Sequence, residues 1–250
     1  MEPTPPLDDD SPETNAASPA ERLTVALTAA LPSRRLQAAM SAGTHPRDEY
    51  VCVLLERCAI EPDLNVRETL SWALMRHPSE VTVPLLITET RSAGAQARSQ
   101  ALHTLSKIGD PAGWYAITPQ LLNDPDDRVA RTAWRVATVL VPEGSELALA
   151  ATLVHHLNRG DREVQLSLSR ALVALGDAVL PPLEAAAEAG DERRRIHAIA
   201  TLLLRETPEL GFDGALFDAE LRVLMSTPLD PPAGPESGSG SDPDRRPSDS

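Results

Sequence analysis

Apolar residues in the middle of this chain recur three and four positions apart, and the pattern itself then repeats. Aligned, the segments LNVRETLSWAL, AQARSQALHTL, DRVARTAWRVA, REVQLSLSRAL and ERRRIHAIATL put Val66, Ala97, Val129, Val164 and Arg194 at one shared anchor position. Four residues on stand Leu70, Ala101, Ala133, Leu168 and Ala198, and eight on stand Leu74, Leu105, Ala137, Leu172 and Leu202. Offsets of four and eight draw a single stripe down an α-helix, so each segment predicts a helix with one buried face. The anchors are 31, 32, 35 and 30 residues apart, an interval that belongs to stacked repeats. Upstream, RRLQAAM from Arg35 fits the same register and predicts a sixth helix in phase.

Helix stops support this spacing. Gly109 and Gly176 each lie twelve residues past an anchor and precede an aspartate, Pro78 holds the same offset, and Pro142 and Pro208 fall just beyond it. Glycine supplies a left-handed C-terminal turn and proline cannot continue a helix. Asp110 and Asp177 therefore read as turn or N-cap residues rather than catalytic ones. Between the anchored helices lie DEYVCVLLERCAI, EVTVPLLITETR, GWYAITPQLLND, SELALAATLVHHLN and AVLPPLEAAAEAG, each expected as the first helix of a two-helix hairpin. A last helix over about 214–226 is expected to cap the stack. The expected fold class is all-α.

Composition changes this picture at the ends. Residues 1–18 and 227–250 are rich in Pro, Ser, Gly and Asp and cannot bury enough apolar surface to offset ordering, so both are expected to be disordered tails around a domain at 19–226. The net charge of −14, with Lys107 the single lysine, argues against a nucleic-acid binder. No apolar run approaches a membrane span, and the N-terminus lacks a secretory layout, so no membrane association and a cytoplasmic location are expected. Cys52 and Cys58, six apart on a helix, are expected as buried free thiols.

Helix, short turn and helix, with EPDLNVR or DPDDRVA leading into an Ala/Leu-rich second helix, resembles the HEAT-repeat family, specifically short bacterial HEAT-like repeats of the lyase type. The resemblance covers about residues 33–210. It implies a right-handed α-solenoid of five to six stacked antiparallel helix pairs, with the second helices lining a concave groove. Ala130 and Gln165 stand where the family's second-helix arginine is Arg67, Arg98 or Arg195, so a continuous Asp–Arg ladder between repeats is not expected.

Chemistry is sparse. No CxxC, HExxH, G-x-S-x-G or phosphate-cradling glycine loop occurs, so no catalytic residue, metal or cofactor is expected. Adjacent His155 and His156 point apart on a helix, and His45 and His77 precede helix-ending prolines. His197 is expected to pack in the core. Trp134, five past its anchor, is expected at the edge of the stripe and half buried.

Six positions past each anchor, opposite the stripe, stand Trp72, His103, Arg135 and Arg170, with Glu68 and Arg131 beside them. This row predicts a partner-binding groove. An aromatic followed by arginines suits an acidic, carboxylate-bearing protein segment, unless nearby acids such as Asp126, Asp127 and Glu163 neutralise them. The expected function is a non-enzymatic protein–protein adaptor, and a small-molecule substrate is not expected. Two alternatives use the same architecture: a HEAT-like DNA-binding alkylpurine glycosylase, with Trp134, Asp127, Arg131 and Arg135 as its candidates, and a bilin-lyase-like protein.

Overall fold

The computed structural model describes residues 17–226, so the two predicted tails lie almost entirely outside the described residues. Within that span the chain is helical, without a strand among the described residues. Six longer helices carry the repeated stripe: α2 (Pro32–Thr44), α4 (Leu64–Met75), α6 (Ala95–Ile108), α8 (Asp127–Leu140), α10 (Arg162–Val173) and α12 (Glu192–Glu206). They alternate with α1 (Pro19–Leu27), α3 (Tyr50–Ile60), α5 (Ser79–Glu89), α7 (Pro119–Leu122), α9 (Glu146–Leu153) and α11 (Leu180–Glu188), and α13 (Gly211–Ser226) closes the series.

Aspartate starts four of the striped helices. Asp63, Asp126, Asp161 and Asp191 each stand three before an anchor and accept a first-turn backbone N–H, from Val66, Arg128, Val164 and Arg194 respectively. This satisfies a donor that helix geometry leaves open. Gly109 ends α6 in the left-handed conformation, φ 70°, and Asp110 then caps the following 3₁₀ turn by accepting from the Ala112 N–H. Asp177 differs from its expected counterpart. It lies inside a 3₁₀ turn and pairs with Arg205.

The stripes are the core. Val66, Leu70, Leu74, Ala101, Leu105, Val129, Ala133, Ala137, Val164, Leu168 and Leu172 are all buried. Consecutive striped helices pack side by side, α2 on α4, α4 on α6, α6 on α8, α8 on α10 and α10 on α12. The intervening elements form a second layer, with α1 on α3 and α3 on α5, while α12 packs against both α11 and α13. A hydroxyl seam joins the row: Ser71 to Thr104 at 3.0 Å, Ser99 to Thr132 at 3.1 Å and Ser169 to Thr201 at 2.7 Å.

Several expectations change. GWYAITPQLLND is no single helix but a 3₁₀ turn, Pro111–Ala116, followed by four-residue α7. Pro119 forces Thr118 into extended backbone, and the Thr118 hydroxyl caps the new helix at the Leu121 N–H. α9 likewise gives way to a 3₁₀ turn at Val154–His156. Cys58 is buried but Cys52 is exposed. In α12, Leu202 is only half-buried, because α13 draws the buried face toward His197, Ala200 and Leu203.

The first striped helix buries its predicted positions Arg35, Ala39 and Gly43, but the contacts of Arg35 match those of an arginine one place further along. Arg35 Nε and Nη2 fork onto Glu61 at 2.8 and 2.7 Å, and Nη1 donates to Ala29 O and Ala30 O. Arg98 repeats the set 63 residues later, forking onto Asp124 at 2.7 and 2.9 Å and donating to Ser92 O and Ala93 O. Arg35 therefore occupies the place of Arg98, one past the anchor. Two rungs of an acid–arginine ladder are thus present. Arg67, between them, makes only the carbonyl contacts, to Glu61 O and Pro62 O.

Candidate functional site

The faces opposite the buried stripes of α6, α8 and α10 meet in an open cleft of about 470 Å³, lined by Ser99, Thr132, Thr138 and Ser167 and by Arg128, Arg131, Arg135 and Arg170. The helical repeat sets this arrangement. Arg128, Arg131 and Arg135 fall at i, i+3 and i+7 on α8 and share one face, and α10 presents Arg170 alongside. Arg128 was not among the sequence candidates, although its heptad spacing from Arg135 was visible.

Three nearby acids pair with cations other than Arg135 and Arg170, two of them with the cleft's own Arg128 and Arg131. Asp126 takes Arg128 at 2.8 Å, Asp127 takes Arg159 at 2.8 Å, and Glu163 takes Arg131 at 3.1 Å. Arg131 Nε also donates to Ser167 Oγ at 2.8 Å. Glu68, on α4, takes Lys107 at 2.6 Å, and that ammonium holds its carboxyl below the usual range. Arg135 and Arg170 are exposed, and neither guanidinium has an acidic partner among the described residues. Cationic charge thus stays uncompensated in a chain of net charge −14.

His103 links the cleft to α4. Arg135 Nη2 donates to His103 Nδ1 at 3.4 Å, which leaves the proton of a neutral ring on Nε2. Nε2 lies 3.1 Å from Glu68 Oε1, an ion-pair distance without hydrogen-bond alignment. Burial, with Lys107 and Arg135 nearby, pushes the His103 pKa down against the pull of Glu68, so the ring is neutral at pH 7. The six candidates therefore divide. Arg131, Arg135 and Arg170 line the cleft, Glu68 and His103 form a neutralised stretch beside it, and Trp72 lies beyond on α4.

Trp72 is 39% exposed and its ring lies over Gly43 of α2, where a Cβ would sit only 2.4 Å from Trp72 Cζ3. Met75, three residues on from Trp72 along α4, and Met40 of α2 are exposed as well. Aligned on the carbonyl contacts of Arg35, Arg67 and Arg98, Met40 takes in α2 the place that Trp72 takes in α4 and His103 in α6.

Trp134 reverses its expectation. It is fully buried, its Nε1 donates to Leu122 O at 3.0 Å, the His156 ring lies 5.4 Å away tilted by 39°, and Arg159 lies over the ring at 5.6 Å. Its cover comes from the irregular segment before α8 and from the turn after α9, which the repeat pattern does not describe. Trp134, Asp127, Arg131 and Arg135 therefore do not converge as a base-binding set. His156 is buried while His155 is exposed, and His197 is a satisfied core residue, accepting from the Asn158 N–H at 2.9 Å and meeting Ser169 at 3.0 Å. Among the described residues no helix is long and apolar enough to cross a membrane.

No protein-family model matches the chain, and no curated protein does. Among solved structures, an engineered structural-genomics target is similar at 20% identity and a TM-score of 0.44, over 84% of this chain and 98% of that one. A second engineered target is similar at 16% identity and a TM-score of 0.40, over 82% of this chain and all of that one. The complex of CpcE and CpcF of phycocyanin lyase from Nostoc sp. PCC7120 is similar at 18% identity and a TM-score of 0.33, over 88% of this chain and all of that one.

Proposed function

We propose that the chain is a right-handed HEAT-like α-solenoid of about five to six helix pairs. In this reading it is a non-enzymatic cytoplasmic adaptor that captures an acidic segment of a partner protein in the cleft between α6, α8 and α10. The observation that carries it is that Arg135 and Arg170 are both exposed in the lining of a 470 Å³ cleft, without an acidic partner among the described residues, while Asp126, Asp127 and Glu163 are engaged by other cations. A guanidinium fork matches a carboxylate in two parallel hydrogen bonds, and the lining hydroxyls add donors.

The test is fluorescence polarisation with a labelled hexaglutamate peptide on the full chain. Wild type is expected to bind with an affinity that falls as salt rises. Arg135→Glu with Arg170→Glu is expected to weaken binding by at least about tenfold, the loss that follows reversal of close charge pairs. Because both side chains are exposed, circular dichroism of the variant should match wild type. Equal binding by wild type and the double variant would overturn the cleft assignment.

A further inference from the structure

This inference rests on the cleft reading above and extends it along the same face. Contacts make that face continuous: Glu68 of α4 touches Lys107 and His103 of α6, His103 touches Arg135 of α8, and Arg131 of α8 touches Ser167 and Glu163 of α10. Its chemistry changes in order. At α2 and α4 it offers exposed Met40, Trp72 and Met75, with the Trp72 ring seated on Gly43. In the middle, Glu68 and Lys107 cancel and His103 is neutral. At α8 and α10 it is cationic.

We infer that this face recognises a bipartite partner segment, an extended stretch of polypeptide that sets an apolar side chain on Met40, Trp72 and Met75 and places an oxyanion cluster among Arg131, Arg135 and Arg170. The spacing follows from the helix row. Neighbouring packed helices lie about 8–10 Å apart, so α4 to the α8–α10 cleft spans roughly 20–25 Å. Extended chain advances about 3.3 Å per residue, which makes the separation about six to eight residues. A helical ligand would need roughly 13–17 residues for the same span. The stretch between the two ends meets a neutralised surface and carries no charge requirement. Clustered carboxylates and phosphorylated hydroxyls both present the oxygens that the arginines take.

The test uses synthetic labelled peptides carrying one leucine, a Ser/Thr spacer of graded length, and either three glutamates or two phosphoserines. A spacer of about six to eight residues is expected to improve affinity about tenfold over the same peptide without leucine, the gain from burying one such side chain. Met75→Ser, at an exposed position, should remove that gain and leave the anion-only peptide unchanged, and Trp72→Ala should do the same where it folds. Arg135→Gln with Arg170→Gln should weaken both anionic series, and the ratio of the glutamate and phosphoserine arms identifies the better oxyanion.

Leucine adding nothing at any spacing, while hexaglutamate binding still needs the arginines, overturns the bipartite inference and leaves the cleft reading intact. An optimum at the helical spacing overturns the extended form. Binding indifferent to the arginines overturns both.

Discussion

A buried arginine is tolerated when most donors on its planar head find acceptors, and Arg35 makes four such bonds, to the two Glu61 oxygens and two backbone carbonyls. Glu61 is equally well served. Burial pushes its pKa up, but hydrogen bonds from Arg35, the Asp63 N–H and Arg57 outweigh this and hold it at about 2 against an ordinary 4.5. Folding thus lowers its pKa, so its contribution to stability is present above pH 4.5 and is lost as the pH falls toward 2. Arg35→Met, which strands part of that carboxylate in the interior, is expected to lower stability by about 3 kcal/mol in urea denaturation at neutral pH. Buried His156 and His197 act in a higher window. Burial lowers both to about 4 from 6.5, so the unfolded chain takes up protons first and stability drops as the pH falls between those values. The melting temperature should decline through the histidine window and again through the glutamate window. His156→Phe, which keeps a ring against Trp134, should flatten the first decline; an unchanged profile would contradict the assignment.

At the scale of elements, what was legible in the sequence is what the repeat itself carries. The stripe, the aspartate caps and the glycine stop at Gly109 follow from local rules and recur, so each position was visible several times. Trp134 and the broken helix before α8 depart from the repeat pattern because their surroundings come from single, non-repeating features: Pro119, the turn after α9 and Arg159. In α2 the predicted positions Ala39 and Gly43 are buried, and it is the contacts of Arg35, which match those of Arg98, that the apolar pattern does not show. The candidate row survived as a face, but which arginines stay unpaired depended on acids up to 32 residues away. Gly43 tests the close approach of α2 and α4. Alanine favours a helix by about 1 kcal/mol over glycine. Here its Cβ would meet Trp72 at 2.4 Å and the Ala73 Cα at 2.9 Å. Overpacking of about 1–3 kcal/mol should prevail, so Gly43→Ala is expected to destabilise and to shift tryptophan emission as the Trp72 ring is displaced. Leu168, buried in α10, gives the complementary test. Leu168→Ala should cost about 2–5 kcal/mol and Leu168→Asp should abolish the folded middle of the row, both measurable by thermal denaturation.

Across the whole molecule the apolar interior is not continuous. One buried cluster runs from Leu23 to Ala198, and a second gathers Ala200, Leu203, Phe212, Ala215, Leu216 and Ala219 between α12 and α13. Half-buried Leu166, Ile196, Ile199 and Leu204 pack against the second cluster, and beyond it α13 exposes Phe217, Leu221, Leu224 and Met225. Where each helix pair is held chiefly by its neighbours, stability is nearly a sum of local terms, and an end with one neighbour opens more easily than the middle. The α12–α13 end should therefore form its own cooperative unit, tied to the rest through α10, α11 and the Ser169–Thr201–His197 hydrogen bonds. Leu216→Ala removes side-chain volume from that small cluster, at a cost of about 2–5 kcal/mol. In native-state hydrogen exchange the variant should lose protection across α13 and the second half of α12, while amides of α4, α6 and α8 keep wild-type rates. Equal loss of protection in all these helices would mean that the two clusters unfold as one, and the division would have no energetic meaning.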